Sequence, residues 1–208
     1  MNAATQSFML QGASGVIEAL RDAPAEGDVR GTAVIAHPHP LFGGSMQNKV
    51  VQTLARAFVQ CGWQAIRFNF RGVGASAGRY DEGRGEAADM LALIEQVVPQ
   101  GPIALAGFSF GAFVTSHVAQ ALGDARRPEK LVLVGTAASR FAVAPIASEL
   151  HERTLVLHGE QDDTVPLSSV MDWARPQTLP ITVIPGVEHF FHGQLPLLKA
   201  LVMRHLSA

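Results

Sequence analysis

The chain has 208 residues, of which 48% are hydrophobic, and a formal net charge of −2. This length and composition predict a single domain, residues 1–208, with a core large enough to be covered on two sides. The near-neutral charge, without a block of like charges, gives no electrostatic reason to expect nucleic acid or an anionic membrane as a partner.

Three further features of the sequence bear on location. No uncharged apolar run is long enough to span a bilayer, and residues 1–7 lack the basic and apolar regions of a signal peptide. The single cysteine, Cys61, excludes an internal disulfide and suits a reducing compartment. We therefore expect a cytoplasmic protein, and the sequence predicts no particular oligomeric state.

The first predicted elements are two short strands, residues 8–10 and 16–20, joined as an antiparallel hairpin around a Gly-Ala-Ser-Gly turn. Six apolar runs follow, nearly continuous in Val, Ile, Leu and Ala, which is typical of parallel strands buried on both faces. These runs are residues 32–36, 65–70, 102–106, 130–134, 154–157 and 181–184.

Helical periodicity separates the runs. Apolar residues repeat at i, i+3, i+4 and i+7 over 51–59, with Gly62 as a stop, and over 87–98; residues 112–122 and 195–205 are also predicted helices. Strands alternating with helices predict an α/β protein. We expect a three-layer α/β/α fold with a mostly parallel eight-stranded sheet and an N-terminal antiparallel hairpin.

A G-x-S-x-G pattern at 107–111 lies directly between a predicted strand and a predicted helix. This context is typical of a nucleophile elbow, in which a strained turn exposes a serine and both outer positions are glycine because strand and helix crowd there. A second copy at 74–78 lies in a predicted loop, where small residues are common without chemistry. Ser109, rather than Ser76, is therefore the candidate nucleophile.

A serine nucleophile needs a base, and the base needs an orienting carboxylate. Carboxylates occur in residues 158–166, after the fifth apolar run, and histidines in 186–192, after the sixth. All of these segments follow the carboxyl ends of parallel strands, the edge where open α/β sheets bind ligands. The order Ser, Asp, His along the chain is the one expected for this elbow.

Five segments in order carry a resemblance to a known family: H-P-H-P-L-F-G-G at 37–44, F-R-G-V-G-A-S at 70–76, the elbow, H-G-x-x-D-x-x-V-P at 158–166 and G-x-x-H-F-F at 186–191. The chain resembles the α/β-hydrolase superfamily, in particular small lidless bacterial serine hydrolases related to dienelactone hydrolases. The resemblance implies that Asp162 is the triad acid and His189 the base, with adjacent Asp163 as the alternative acid. Dienelactone hydrolases proper have cysteine where Ser109 stands, so their substrate does not carry over.

Acyl transfer also needs hydrogen-bond donors for the developing oxyanion. One donor is expected to be the backbone N–H of Phe110, and the other should come from the loop 37–44. In relatives an H-G-x signature places that donor at a position matching His39, although proline replaces the glycine here. Leu41 is the second choice, because Pro40 has no N–H.

Only 18 residues, 136–153, separate the fourth and fifth apolar runs, so no lid domain is expected and the site should be open. Phe42, Phe108 and Phe190 are predicted to form the substrate pocket, and Phe110 and Phe191 are further possible walls. The predicted partner is a small-molecule ester, with a short or medium uncharged acyl group, hydrolysed through an acyl enzyme. No cofactor is implied.

Other functions use the same residues or other motifs. Thioesterase, lactonase or peptidase activity would need the same triad. A noncatalytic hydrolase-fold binding module or a nucleotide-binding oxidoreductase is a different class, but the glycines at 72, 74 and 78 do not match the dinucleotide spacing. No metal site is predicted, because the histidines at 37, 39, 189 and 192 lack carboxylates at a diagnostic spacing. The arginines at 71, 79 and 84, near the loop edge, would favour an anionic substrate if they faced the site, but they are interpreted as solvated surface residues.

Overall fold

The computed structural model describes residues 5–208 and confirms the α/β/α architecture around one sheet. Eight strands and five α-helices occur in that range. The strands are β1 (Gln6–Gly12), β2 (Gly15–Asp22), β3 (Thr32–Ala36), β4 (Gln64–Phe68), β5 (Ile103–Phe108), β6 (Lys130–Val134), β7 (Thr154–Gly159) and β8 (Ile181–Ile184). The α-helices are α1 (Lys49–Gln60), α2 (Arg84–Val97), α3 (Phe110–Leu122), α4 (Leu167–Ala174) and α5 (Leu195–Ser207).

The sheet has the order β1-β2-β4-β3-β5-β6-β7-β8. The pairs from β4 to β8 are parallel, whereas β1 with β2 and β2 with β4 are antiparallel. The predicted N-terminal hairpin is therefore confirmed, and its two strands extend the parallel sheet at one edge.

Strand β3 lies at the point where the strand order reverses. The chain leaves β3 for β4 on one side and later returns to β5 on the other. Loops that leave two such neighbouring parallel strands in opposite directions open a crevice between them, at the carboxyl edge. The loops after β3 and β5, which contain His39 and Ser109, therefore border the same crevice.

Helices cover both faces of the sheet. Helices α1 and α5 pack on one face through buried side chains such as Leu54, Phe58 and Val202. Helices α2, α3 and α4 cover the other face, with Met90 and Val118 in its core. The i, i+3, i+4 repeat of apolar residues produces these buried stripes.

Several element ends differ from the prediction. Strand β4 ends at Phe68 rather than residue 70. The N–H of Asn69 still donates to Glu18 of β2, but the N–H of Phe70 donates to the ring of His37, so strand pairing does not continue to residue 70. Strands β5 and β7 run two residues further than predicted, to Phe108 and Gly159, since their last residues pair with β6 and β8. Helix α4 was not predicted, because its eight residues show no long apolar period.

The chain between β6 and β7 contains a loop and the 3₁₀ segment Ser148–Arg153, and it forms no lid domain. The longest helix within residues 5–208, α2, has 14 residues. A helix crossing a bilayer needs about 20 apolar residues, and none of the described helices meets that requirement.

The connection from β5 to α3 forces two backbones together. A Cβ atom at Gly107 would lie 2.3 Å from the carbonyl oxygen of Gly111. A Cβ atom at Gly111 would lie 2.5 Å from the carbonyl oxygens of both Ala36 and His37. Each clash is with backbone, which cannot rotate away as a flexible side chain can, so both positions require glycine.

We predict that Gly111→Ala lowers the free energy of unfolding by about 3 kcal/mol, the upper range for overpacking. Helix propensity alone would make this substitution stabilising, because alanine is a better helix former than glycine. A loss of stability is therefore evidence of the clash. Urea denaturation measures it. The control is Gly101→Ala, whose Cβ meets no atom within 4 Å and whose φ of 94° predicts a cost of about 1–2 kcal/mol. A Gly111→Ala variant no less stable than this control would contradict the crowding.

Candidate active site

Ser109 occupies the turn between β5 and α3 with φ 56° and ψ −116°, a backbone conformation that is strained for a residue with a Cβ. Its N–H donates to the carbonyl of Val134 at 2.8 Å, which anchors the turn to β6. The side chain is thereby held at the carboxyl edge of the sheet.

The structure brings Ser109, His189 and Asp162 together in one hydrogen-bonded chain. The Ser109 Oγ lies 3.0 Å from His189 Nε2, and His189 Nδ1 lies 2.6 Å from Asp162 Oδ2. An ionised carboxylate can only accept, so Nδ1 carries the imidazole proton and Nε2 is free to accept from the hydroxyl. All three residues are buried, with exposures of 7%, 2% and 6% for Ser109, His189 and Asp162.

Asp162 is held by the loop that follows β7. Its Oδ1 accepts from the N–H groups of Thr164 and Val165 at 3.0 and 2.7 Å. These bonds leave Oδ2 directed at the imidazole. Asp163, the alternative acid, is exposed and accepts from the Thr164 hydroxyl, so it makes no contact with His189.

A second buried histidine, His158, supports the same loop. Its Nε2 lies 2.9 Å from the carbonyl of Val165 and 3.5 Å from Asp162 Oδ2. Burial lowers its pKa, partly offset by Asp162 and the Val165 carbonyl. A neutral imidazole donating to Val165 ties the end of β7 to the segment that orients Asp162.

His189 is held by the turn after β8. The Glu188 carboxylate accepts from the N–H groups of Phe190 and His192 at 2.8 and 2.6 Å, which closes the turn around the histidine. The imidazole packs on the ring of Phe108, with centroids 4.9 Å apart. His192 points to solvent and pairs with Glu188 at 3.0 Å.

The prediction that Phe108 lines the pocket is wrong. Its side chain is fully buried and packs against the imidazole of His189. The reason lies in its place as the last residue of β5, where its side chain enters the core between sheet and helix. Phe42 and Phe190 do line the cavity, and both are exposed, whereas Phe110 and Phe191 are fully buried.

Two backbone amides remain open near the elbow. The N–H groups of Phe110 and His39 donate to no acceptor among residues 5–208. The N–H of Leu41 already donates to His39 Nδ1 at 3.2 Å, so the choice of Leu41 as a donor is wrong. The His39 carbonyl accepts from Phe42 and Gly44, which folds the loop into a tight turn.

His37 connects the loop after β3 to the segment after β4 through a hydrogen bond. Its Nε2 accepts from the N–H of Phe70 at 2.9 Å, and its Nδ1 donates to the carbonyl of Pro38 at 2.6 Å. Because an amide N–H can only donate, Nε2 of His37 must be the unprotonated nitrogen and Nδ1 carries the proton. Burial lowers the pKa of His37 to about 4, so the ring is neutral.

The second G-x-S-x-G serine has a structural role. The Ser76 hydroxyl donates to the carbonyl of Asn69 at 2.7 Å and accepts from the N–H of Glu18 at 3.0 Å. It is buried, and no histidine within residues 5–208 contacts it. The sequence placed it in a loop correctly, but the loop is hydrogen-bonded to the hairpin.

A cavity of about 340 Å³ opens over Ser109 and His189. Its other lining residues are Pro38, His39, Phe42, Gly43, Gly44, Asn48, Arg140, Thr164 and Phe190. Arg140, Asn48 and Thr164 were missed by the sequence reasoning, because no motif marks them. The arginines considered there are not in the lining. Arg84 is exposed and pairs with Asp81 at 3.3 Å, but the interpretation of Arg71 as solvated is wrong, because its side chain is buried against Asp89 at 2.8 Å.

We predict that His37→Phe flattens the acid limb of the stability profile. A proton binds His37 in the unfolded chain below about pH 6.5 but in the folded chain only near pH 4. The stability from the neutral ring is therefore complete above pH 6.5 and lost as the pH falls toward 4, by about 3 kcal/mol. Urea unfolding at successive pH values measures this loss, which should be smaller in the variant.

The control for this series is Val34→Ala, which truncates a buried side chain of β3 without removing a titratable group. It should lower stability at every pH and retain the wild-type slope. A His37→Phe variant with the wild-type slope would show that His37 does not stay neutral in the fold.

Comparisons with known proteins agree with this fold. Residues 28–152, more than half of the chain, match the Hydrolase_4 family, described as serine aminopeptidase, S33. The uncharacterized protein RP471 of Rickettsia prowazekii is 31% identical over 182 residues, 76% of this chain and 71% of that protein. A closer relation to dienelactone hydrolases stays a prediction.

Two solved structures are similar over nearly their full length. One is XC6422 from Xanthomonas campestris, described as an α/β serine hydrolase without lid, with 33% identity, a TM-score of 0.88 and coverage of 100% of this chain and 95% of that one. The other is an α/β serine hydrolase homologue from Coxiella burnetii, with 38% identity, a TM-score of 0.82 and 97% coverage of both chains. The chain belongs to the Hydrolase_4 family and is a serine hydrolase of the α/β-hydrolase superfamily.

Proposed function

We propose that this hydrolase cleaves small to medium carboxylic esters through a Ser109–His189–Asp162 triad and an acyl-enzyme intermediate. The observation that carries the proposal is the continuous contact from Asp162 Oδ2 through the imidazole to Ser109 Oγ, at 2.6 and 3.0 Å. A hydroxyl becomes an effective nucleophile when a positioned base can take its proton.

In the first step Ser109 Oγ attacks the ester carbonyl and its proton passes to His189 Nε2. Asp162 accepts from Nδ1 and stabilises the imidazolium. The negative charge that develops on the carbonyl oxygen is stabilised by the open N–H groups of Phe110 and His39. Each such donor is worth about 3 to 4 kcal/mol.

In the second step the C–O bond to the leaving group breaks, and the alcohol departs with the proton from His189. A water molecule then attacks the acyl carbon, giving its proton to His189. The C–O bond to Ser109 breaks, the serine recovers a proton, and a carboxylic acid is released. No redox partner or cofactor takes part in these steps.

The size of the substrate is inferred from the cavity. Its volume of about 340 Å³ is at the lower end of ligand pockets, which run from about 300 to 1,000 Å³. Phe42 and Phe190 provide exposed apolar surface at its rim, with 74% and 42% exposure. A short acyl chain fits within these walls, whereas most of a long chain would remain in water.

Peptide hydrolysis is the second candidate, favoured by the description of the family as serine aminopeptidases. An aminopeptidase must bind the ammonium group of its substrate, which requires an acceptor, commonly a carboxylate. None of the lining residues is Asp or Glu, and one of them, Arg140, is a cation. The Arg140 cation repels an ammonium group, and no carboxylate in the lining attracts one. The ester is therefore the preferred substrate class.

We predict that Ser109→Ala abolishes labelling by a fluorophosphonate and lowers ester turnover by at least about 10⁴-fold. The matched control is Ser76→Ala, in the second G-x-S-x-G copy, which should retain labelling. It should lose about 2 kcal/mol of stability, because two hydrogen bonds of a buried hydroxyl are removed. Labelling that persists in Ser109→Ala and disappears in Ser76→Ala would reverse the assignment.

We also predict an optimum at short or medium chains in a series of 4-nitrophenyl esters, measured as kcat/KM. Amino-acid 4-nitroanilides with a free ammonium group should be poor substrates, because Arg140 repels the cation. A long-chain optimum would contradict the size inference. Anilide hydrolysis exceeding ester hydrolysis would replace the esterase proposal with the peptidase.

A further inference from the structure

Arg140 lies in the loop after β6, on a segment whose backbone is anchored. Its N–H donates to the carbonyl of Ala137 at 3.2 Å, which forms a turn. The next residue, Phe141, stacks on Phe113 with ring centroids 4.7 Å apart and meets Phe110 edge-on at 5.2 Å. The loop is thus fastened to helix α3, directly behind the elbow.

From this anchored position the Arg140 side chain lines the same cavity as Ser109 and His189. It is exposed to solvent there, and within residues 5–208 it forms no ion pair and no side-chain hydrogen bond. Arg71 and Arg84, by contrast, are each paired with an aspartate. The guanidinium of Arg140 therefore has all of its donors available to a ligand.

The rest of the cavity wall does not neutralise this charge. Of the described residues that line the cavity, none is acidic. Burial and the proximity of Arg140 lower the pKa of His39, so that ring stays neutral near pH 7. Asn48 uses its side-chain oxygen to cap α1 and retains its amide N–H₂. The wall thus offers one cation and further donors beside the nucleophile.

We infer that the substrate of this site is an ester that also carries a carboxylate, which Arg140 binds while Ser109 attacks the ester carbonyl. This inference rests on the proposed esterase function and names its substrate class. A planar guanidinium matches a carboxylate through two parallel hydrogen bonds. A single arginine balances one negative charge, which favours a carboxylate over a doubly charged phosphate. The sequence predicted an uncharged acyl group, because Arg140 could not be placed at the site.

The test uses two pairs of esters that differ in one charge. In the first pair, 4-nitrophenyl hemisuccinate and its methyl ester, the carboxylate is on the acyl side. In the second, 4-acetoxybenzoate and its methyl ester, it is on the leaving group. The quantity measured is the ratio of kcat/KM for the acid to that for its neutral partner. Wild type, Arg140→Gln, Arg140→Lys and Arg204→Gln are compared.

In at least one pair, wild type should favour the acid by about tenfold, the lower range for a charge-assisted hydrogen bond. Arg140→Gln should remove that preference, and Arg140→Lys should retain part of it. Arg204, which is on α5 and lines none of the cavity, is the control for net charge, and its variant should keep the wild-type ratio.

Three outcomes decide the inference. A wild-type preference for the neutral ester in both pairs overturns it, as does a ratio that Arg140→Gln leaves unchanged. In either case hydrolysis of the neutral esters that depends on Ser109 would leave the esterase proposal standing. Failure of the wild type to cleave any of the four esters would reject the esterase proposal and, with it, the inference.

Discussion

The close approach of β5 and α3 is the constraint on which the site depends. At Gly107, where β5 meets α3, a Cβ would lie 2.3 Å from a backbone oxygen, and at Gly111, where α3 meets the end of β3, it would lie 2.5 Å from two of them. Only a sharp turn connects strand and helix at that distance, and Ser109 occupies it with a positive φ. The strain is offset by the packing of the surrounding sheet and helices, which leaves the hydroxyl in one place relative to the other strand ends.

Three buried histidines border this edge of the sheet, and their partners distinguish their roles. His37 and His158 each contact a backbone carbonyl, and burial lowers the pKa of both, which makes them neutral connectors between loops. His189 instead has a carboxylate on one nitrogen and a serine hydroxyl on the other. Two of these histidines therefore stabilise loops through hydrogen bonds, and the third is a candidate base.

The charge of the cavity connects the fold to the choice of substrate. The loop after β6 is short, so it adds no lid and instead presents Arg140 at the rim of an open site. The family description points to peptides with an ammonium group, whereas a cation without an acidic neighbour in the lining points to anions. Substrate selection in this architecture depends on loop residues, which can change while the sheet and the elbow stay the same.

Local sequence patterns by themselves determined the strands, most helices and the elbow with Ser109, because each depends on neighbouring residues. They also limited the acid and the base to the segments 158–166 and 186–192, and the resemblance to a known family selected Asp162 and His189 within them. Only the tertiary structure decided which side chains share the cavity. Phe108 enters the core, the amide of Leu41 is occupied, and Arg140 lines the same cavity as Ser109, although no local pattern distinguishes them. These outcomes depend on contacts between segments far apart in the chain, whose geometry arises only when the layers pack.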